Sequence, residues 1–297
     1  MAIVGDRSRR WQVALAHACL IVAVLVVVFP FLMIVSISLR EGNFARGQFI
    51  PRSLSLEHWK LALGMSYVDA DGQMVFPPFP VLTWIWNSFK VSFGAAALCL
   101  LLSITSAYAV ARMRFRGRGT FLKALLLLQT YNAVLTLVAI YTLFDGVGEL
   151  VPWLGLNSHW SLTLVYAGVN VPLQIWLIKG YYDSVPRELE EAAQVDGATR
   201  FQAFVQILLP MAAPILVVSF VLTFLNAMID YPIASVMMHD EDKYTLAIGS
   251  QQFLMEQRFW WGDFAASAIL AGLPLTLLFL VTQKWLVSGL TAGGVKE

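Results

Sequence analysis

Glu191, Ala192 and Ala193 are followed by Gly197 and, after nine further residues, by Ile207, Leu209 and Pro210. These residue types in this spacing suit docking rather than catalysis. Ser184 stands where it can cap a helix, and Pro186 falls in that helix's first turn, where its missing N–H costs nothing. Glu188, Glu190 and Glu191 lie early in the helix, on the side that the macrodipole favours. Leu189, Ala192 and Ala193 share a face, and two alanines on it leave room for another protein. After Asp196, Gly197 permits a turn that a β-carbon disfavours. A second amphipathic run, Phe201, Phe204, Val205 and Leu208, leads to Pro210, where the next apolar segment begins or bends. An ordinary solvated helix–turn–helix loop also starts with acidic residues. The glycine and the Ile-x-Leu-Pro in register set this stretch apart from one.

Other chemistry is hard to find. Cys19 and Cys99 both lie in apolar stretches and read as small buried hydrophobes rather than as a disulfide or metal site. His17, His58, His159 and His239 make no metal-ligand spacing. Neither a Ser/His/Asp nor a Cys/His arrangement is legible. No glycine-rich phosphate loop is present, so ATP binding by this chain is not expected. A net charge of +1 points to no nucleic-acid partner.

The elements that must carry the loop are membrane spans. The 297 residues are 58% hydrophobic and 13% charged, where a soluble domain has about 25% charged. The apolar run from Val13 to Ile37 follows Arg7, Arg9 and Arg10 and is too long for a signal peptide; it reads as a retained first span bent near Pro30. Five more are expected near 88–110, 124–144, 162–177, 211–233 and 264–287. Trp84 and Trp86 mark a membrane interface. Gly94, Ala95, Ala96, Ala97, Ser103, Ser106 and Ala107 offer small residues for close helix packing.

Six spans put both termini on one side, and basic residues choose it. Thirteen of the 20 lysines and arginines fall on the proposed inner side, among them Arg112, Arg114, Arg116, Arg118 and Lys123 between two spans. A basic cluster can bind nucleic acid or anionic lipid, but between two spans it reads as the cytoplasmic topology signal. The docking loop therefore faces the cytoplasm. Within the spans, Tyr131, Asn132, Asn170, Gln174, Asn226 and Asp230 interrupt apolar runs. The neutral ones fit a hydrated translocation path and equally fit hydrogen bonding between helices; Asp230 is the sharper case because it ionises, though near the outer end of its span interface water is within its reach.

The docking stretch resembles the loop by which membrane subunits of bacterial ABC importers hold their ATPase. Further segments are similar to the maltose/maltodextrin permease family: Ser36 to Arg40, Gly42-Asn43-Phe44, His58 to Gly64, Pro77 to Pro80, Ala111 to Phe115, Trp261 to Ala266 and Gly289 to Lys296. Arg200 and the stretch Met255 to Trp260 depart from the family pattern.

The resemblance implies an all-α, polytopic membrane protein of six transmembrane helices with the type I ABC importer permease fold. It implies a cytoplasmic N-terminus at 1–12, a first span at 13–38 and a periplasmic loop at 39–84. A permease core comes next at 85–287, with a cytoplasmic coupling loop at 179–210 and a periplasmic loop at 234–263, then a cytoplasmic tail at 288–297. The ATPase-coupling residues would be Glu190, Glu191, Ala192, Ala193, Asp196, Gly197, Ile207 and Pro210. Gln251, Gln252, Phe253, Leu254, Met255, Glu256 and Gln257 would meet the binding protein. Thr291, Gly293, Gly294, Val295 and Lys296 would reach the ATPases. Tyr131, Asn132, Asn226 and Asp230 would line the path. Implied partners are a second, different permease, two copies of an ATPase that holds ATP and Mg, a periplasmic sugar-binding protein and membrane lipid. The chain itself would be non-catalytic and bind no cofactor. Another oligosaccharide or a polyol is the competing substrate. An ion-coupled secondary transporter would need a paired midplane ion site and an internal repeat, and neither is visible.

Overall fold

The computed structural model describes residues 6–44, 47–51, 53–69, 71–130, 133–255 and 258–294. The chain divides into two compact units, one of Met1–Phe79 with Gln252–Leu270, the other of Pro80–Gln251 with Ala271–Glu297.

In the first unit, helix α1 (Asp6–Ser38) is continuous through Pro30 and carries the expected first span. The unit also holds a short helix α2 (Glu57–Ala62) and two antiparallel hairpins, β1 (Tyr67–Val68) with β2 (Met74–Val75) and β3 (Leu254–Met255) with β4 (Arg258–Phe259). Strands of two residues have little stability of their own. They depend on the packing of Leu61, Ala62, Phe253, Ala265 and Ala266, all buried.

The second unit is built on α3 (Val81–Arg112), α6 (His159–Ser184) and α10 (Ala213–Ile229). The small residues of α3 do what their composition suggests: Ala95, Ala96, Ser103 and Ala107 are fully buried. A β-carbon at Gly94 would lie 3.2 Å from Thr163 Cγ2 on α6, so the two backbones approach closely. Cys99 is buried as a small hydrophobe, whereas Cys19 is exposed on α1.

Among the described residues, four helices are each long and apolar enough to cross a membrane: the α1 stretch Trp11–Ser38, α3, α6 and the Trp261–Trp285 part of α13 (Trp261–Gly294). A fifth candidate is a bent pair, Arg200–Met211 with Ala213–Ile229, meeting at 73°. The expected third span is not one helix. It divides into α4 (Arg118–Thr130) and α5 (Leu137–Leu150), with a tight 3₁₀ turn at Ala133–Thr136. At the end of α4, Thr130 Oγ1 turns back to the Leu127 carbonyl. The fifth span differs from expectation as well. It ends at Ile229, and α11 (Pro232–Met237) and α12 (Leu246–Gln252) come after it as separate helices.

Trp84 corrects another expectation. It is fully buried and donates its indole N–H to the Glu241 carbonyl at 2.8 Å, so it anchors a loop instead of marking the interface. Trp86, two residues on, points outward.

Candidate functional site

The docking stretch folds as two short helices, α7 (Glu188–Val195) and α8 (Arg200–Ala203). Ser184 does not cap α7. It closes α6, its hydroxyl donating to the Tyr181 carbonyl, and Arg187 stands at the α7 N-cap without a side-chain cap. The expectation failed because Val185 continues the turn out of α6 and delays the new helix past Pro186.

The end of α7 is closed by its backbone. Ala198 N–H donates to the Ala193 carbonyl at 2.9 Å and Gly197 N–H to the Gln194 carbonyl at 3.2 Å. This crossed pair needs a left-handed residue, and Gly197 supplies it with φ +93°. Two residues later Thr199 starts α8 with a capping box. Gln202 N–H donates to Thr199 Oγ1, and Thr199 N–H donates to Gln202 Oε1. The Thr199-x-x-Gln202 signal is a local one that sequence reasoning missed.

After α8 the backbone makes a π-helical turn over Phe204–Leu208, in which Leu209 N–H reaches back five residues to the Phe204 carbonyl. Pro210 has no N–H to give the Gln206 carbonyl, and Pro214 has none for Pro210. Between these prolines, at Ala212, the chain bends into α10 through α9 (Leu209–Met211). The run Phe201, Phe204, Val205 and Leu208 splits across this turn. Phe204 and Leu208 are buried, whereas Phe201 is 73% exposed.

The loop thus has an inner and an outer side. On the inner side Glu190 is buried and its Oε1 accepts from Arg112 Nε at 2.6 Å. The second arm of Arg112 donates to the Val185 carbonyl at 3.0 Å, and Arg187 donates to the Ala111 carbonyl at 2.9 Å. Arg112 also lies in the last turn of α3, where a cation suits the helix dipole. The docking helix is therefore fastened to the end of a membrane span. Of the residues expected to couple outward, Glu190 is turned inward instead. Ile207 is half-buried.

On the outer side Glu191, Ala192, Asp196, Gly197 and Pro210 are exposed, together with Leu189, Val195 and Phe201. Ala193 is half-buried. Among the described residues Glu191 makes no ion pair. A recess of about 200 Å³ opens beside it, lined by Tyr108, Arg112, Arg187, Glu190, Gln194 and Arg200. Exposed apolar groups beside an unpaired carboxylate are what a protein-docking face presents.

Of the in-span polar residues, Asn170, Asn226 and Asp230 are hydrogen-bonded, whereas Gln174 is fully buried on α6 and neither its amide nitrogen nor its oxygen has a partner among the described residues. Asp230 Oδ1 accepts from the Tyr166 hydroxyl at 3.0 Å and from the backbone N–H of Ile233 at 3.0 Å, so it caps the start of α11. Asn226 donates to Asn170 Oδ1, and Asn170 donates to the Tyr166 carbonyl. Between α6 and α10, hydrogen bonding is the reading that the geometry favours. Tyr131 and Asn132 lie outside the described residues.

Of the expected binding-protein segment, Gln251 is exposed and Gln252 and Leu254 are half-buried. Phe253 is buried and packs edge-on against Phe79 at 4.9 Å, so it is a core residue. Met255 lies in β3; Glu256 and Gln257 lie outside the described residues. Thr291, Gly293 and Gly294 continue α13 where a tail was expected, and Val295 and Lys296 fall outside the described residues. Among the described residues no cluster of His, Cys, Asp or Glu could hold a metal ion.

Residues 100–291 match the family model described as "Binding-protein-dependent transport system inner membrane component". The chain is 51% identical, over 296 residues and the whole of both chains, to the maltose/maltodextrin transport system permease protein MalG of Photorhabdus laumondii. It is 50% identical, over the same extent, to the MalG protein of Escherichia coli K12. A chain in the crystal structure of a bacterial ABC transporter involved in the import of the acidic polysaccharide alginate superposes with a TM-score of 0.70. That likeness covers 96% of this chain and 100% of the other at 19% identity, and it shows the fold.

Proposed function

The chain belongs to the family of inner membrane components of binding-protein-dependent transport systems, and from that premise we propose how it works. It is the MalG-type permease subunit of an ABC importer for maltose and maltodextrins. The observation that carries this is identity near one half along the entire length of proteins so named. Folds of this class host many cargoes, but a match that leaves no part of either chain over includes the segments that set the partners.

The subunit pairs with a second, different permease. Two copies of a cytoplasmic ATPase holding ATP and Mg sit beneath, and a sugar-loaded periplasmic binding protein docks above. The chain performs no bond chemistry of its own. The exposed face of α7 and α8 enters a cleft of one ATPase, with Glu191 as its ionic contact and Leu189, Val195 and Phe201 as its apolar ones. When ATP closes the ATPase pair, that face moves. Arg112 and Glu190 pass the motion to α3, and the elbow at Ala212 passes it to α10. The spans then turn as bodies between inward-open and outward-open states. Both termini are placed in the cytoplasm, a reading that the bias of basic residues supports.

The test is reconstitution. The complex is purified from membranes through a tag on this chain, its subunits are identified by mass, and its uptake of labelled maltose into ATP-loaded vesicles is measured. A second permease and an ATPase in the complex, with uptake that needs the binding protein, is the expected result. A complex with no ATPase would refute the reading.

A further inference from the structure

We propose that Asn43, His58 and Asp263 form a positioning node that holds the β3–β4 hairpin in the attitude it needs to meet the binding protein. The inference rests on the transport reading above.

Three segments far apart in sequence converge here. Asn43 Oδ1 accepts from the backbone N–H groups of Gly262 at 3.0 Å and Asp263 at 3.2 Å, capping the first turn of α13 from a distant loop. Asn43 Nδ2 donates to Asp263 Oδ2 at 3.2 Å. The other carboxylate oxygen lies 2.6 Å from His58 Nδ1, with the two side chains 1% and 3% exposed. His58 Nε2 faces the Gly42 carbonyl at 3.3 Å and Glu57 Oε1 at 3.5 Å, and that same Glu57 oxygen accepts from Gly42 N–H at 2.6 Å. A β-carbon at Gly262 would overlap the imidazole, so only glycine fits between the cap and the ring.

The node sits at the base of the hairpin. Trp260 N–H donates to the Phe253 carbonyl at 2.9 Å and closes that base. Phe79 packs on Phe253 at 4.9 Å and on Trp260 at 5.9 Å. Only Trp261 separates Trp260 from Gly262. Two-residue strands cannot fix their own direction. The direction comes from the first turn of α13, which the node holds.

Both ring nitrogens of His58 face oxygen acceptors, and only the imidazolium can donate to both. Burial works against that charge, but the hydrogen bond and charge of Asp263, then Glu57 and the Gly42 carbonyl, outweigh it and raise the imidazole above its usual 6.5. Glu41, Lys60, Tyr67 and Asp69 line a recess beside Glu57; burial and then the charges of Glu57, Asp263 and Asp69 push the Tyr67 phenol up, so it stays neutral. A raised histidine stabilises fully below pH 6.5 and loses that contribution as pH rises through its folded value. Docking should therefore weaken toward alkaline pH.

The experiment uses the assembled importer and titrates it with maltose-loaded binding protein, following ATP hydrolysis. Asp263→Asn and His58→Gln should raise the half-saturating concentration about tenfold, with the effect in half-saturation rather than in maximal rate. In the wild type, half-saturation should rise as the pH is taken up from 6.5, and in Asp263→Asn it should be flat. Assembled variants with wild-type half-saturation, or a flat wild-type profile, overturn the node. So does failure of both variants to assemble, which would make it a folding element. A wild-type complex that the binding protein does not stimulate at all overturns the transport reading itself, and the node with it.

Discussion

Replacing Gly197 should uncouple the subunit without unfolding it. The residue has φ +93°, and a β-carbon built there meets nothing within 4 Å. The penalty is therefore conformational, about 1–2 kcal/mol for alanine and more for a branched side chain. Two exposed hydrogen bonds hold the turn, Ala198 to Ala193 and Gly197 to Gln194. At about 0.5–1.5 kcal/mol each they contribute about 1–3 kcal/mol. The strain thus offsets most of what keeps α7 and α8 in register. It remains small against the core of Ala107, Ile178, Tyr182, Phe204 and Leu208 beneath. Gly197→Ala should lower the ratio of correctly disposed to displaced loop about five- to thirtyfold, and Gly197→Val further. Gly197→Asn should sit between glycine and alanine, because asparagine tolerates left-handed backbone. The assay is maltose uptake and binding-protein-stimulated ATP hydrolysis by purified complexes, with assembly checked by subunit mass. Both activities should fall together in the order Gly, Asn, Ala, Val. Normal uptake in Gly197→Val would refute the docking role of this turn, and loss of assembly would refute the claim that the strain is local.

Three further outcomes are expected. Glu190→Ala should cost about 3–5 kcal/mol locally, because it leaves Arg112 buried without its carboxylate. Cysteine crosslinking between α7 and the end of α3 should then drop sharply, and a leucine pair replacing both residues should restore it. A single cysteine at Gly117, in a protein lacking Cys19 and Cys99, should resist an impermeant thiol reagent on intact spheroplasts; ready labelling would invert the topology. Gly249→Ala would drive a β-carbon into the Trp84 indole, so the midpoint of thermal unfolding in detergent should fall by several degrees, and an unchanged midpoint would contradict the packing described.

The docking loop was legible because its requirements are local. A left-handed turn wants glycine, a helix start wants acidic residues, and a proline bends the helix beyond it; each acts within a few residues of chain. Four of the six expected spans, the first, second, fourth and sixth, were legible as single helices from apolar length. Apolar length alone could not reveal that the third span divides at Thr130 or that the fifth bends by 73° at Ala212. Those depend on which backbone carbonyls find partners.

The sequence by itself determined a helical membrane chain and the residues of one turn. Only the tertiary structure decided which way those residues face. Glu190 and Glu191 are adjacent and chemically identical, yet one meets Arg112 across 78 positions and the other stays exposed at the surface. Trp84 and Trp86 part in the same way. Asn43, His58 and Asp263 are ordinary polar residues until a separation of 220 positions is closed. Helical and turn preferences are written in near neighbours, whereas burial and charge pairing depend on contacts that exist only once distant segments have packed.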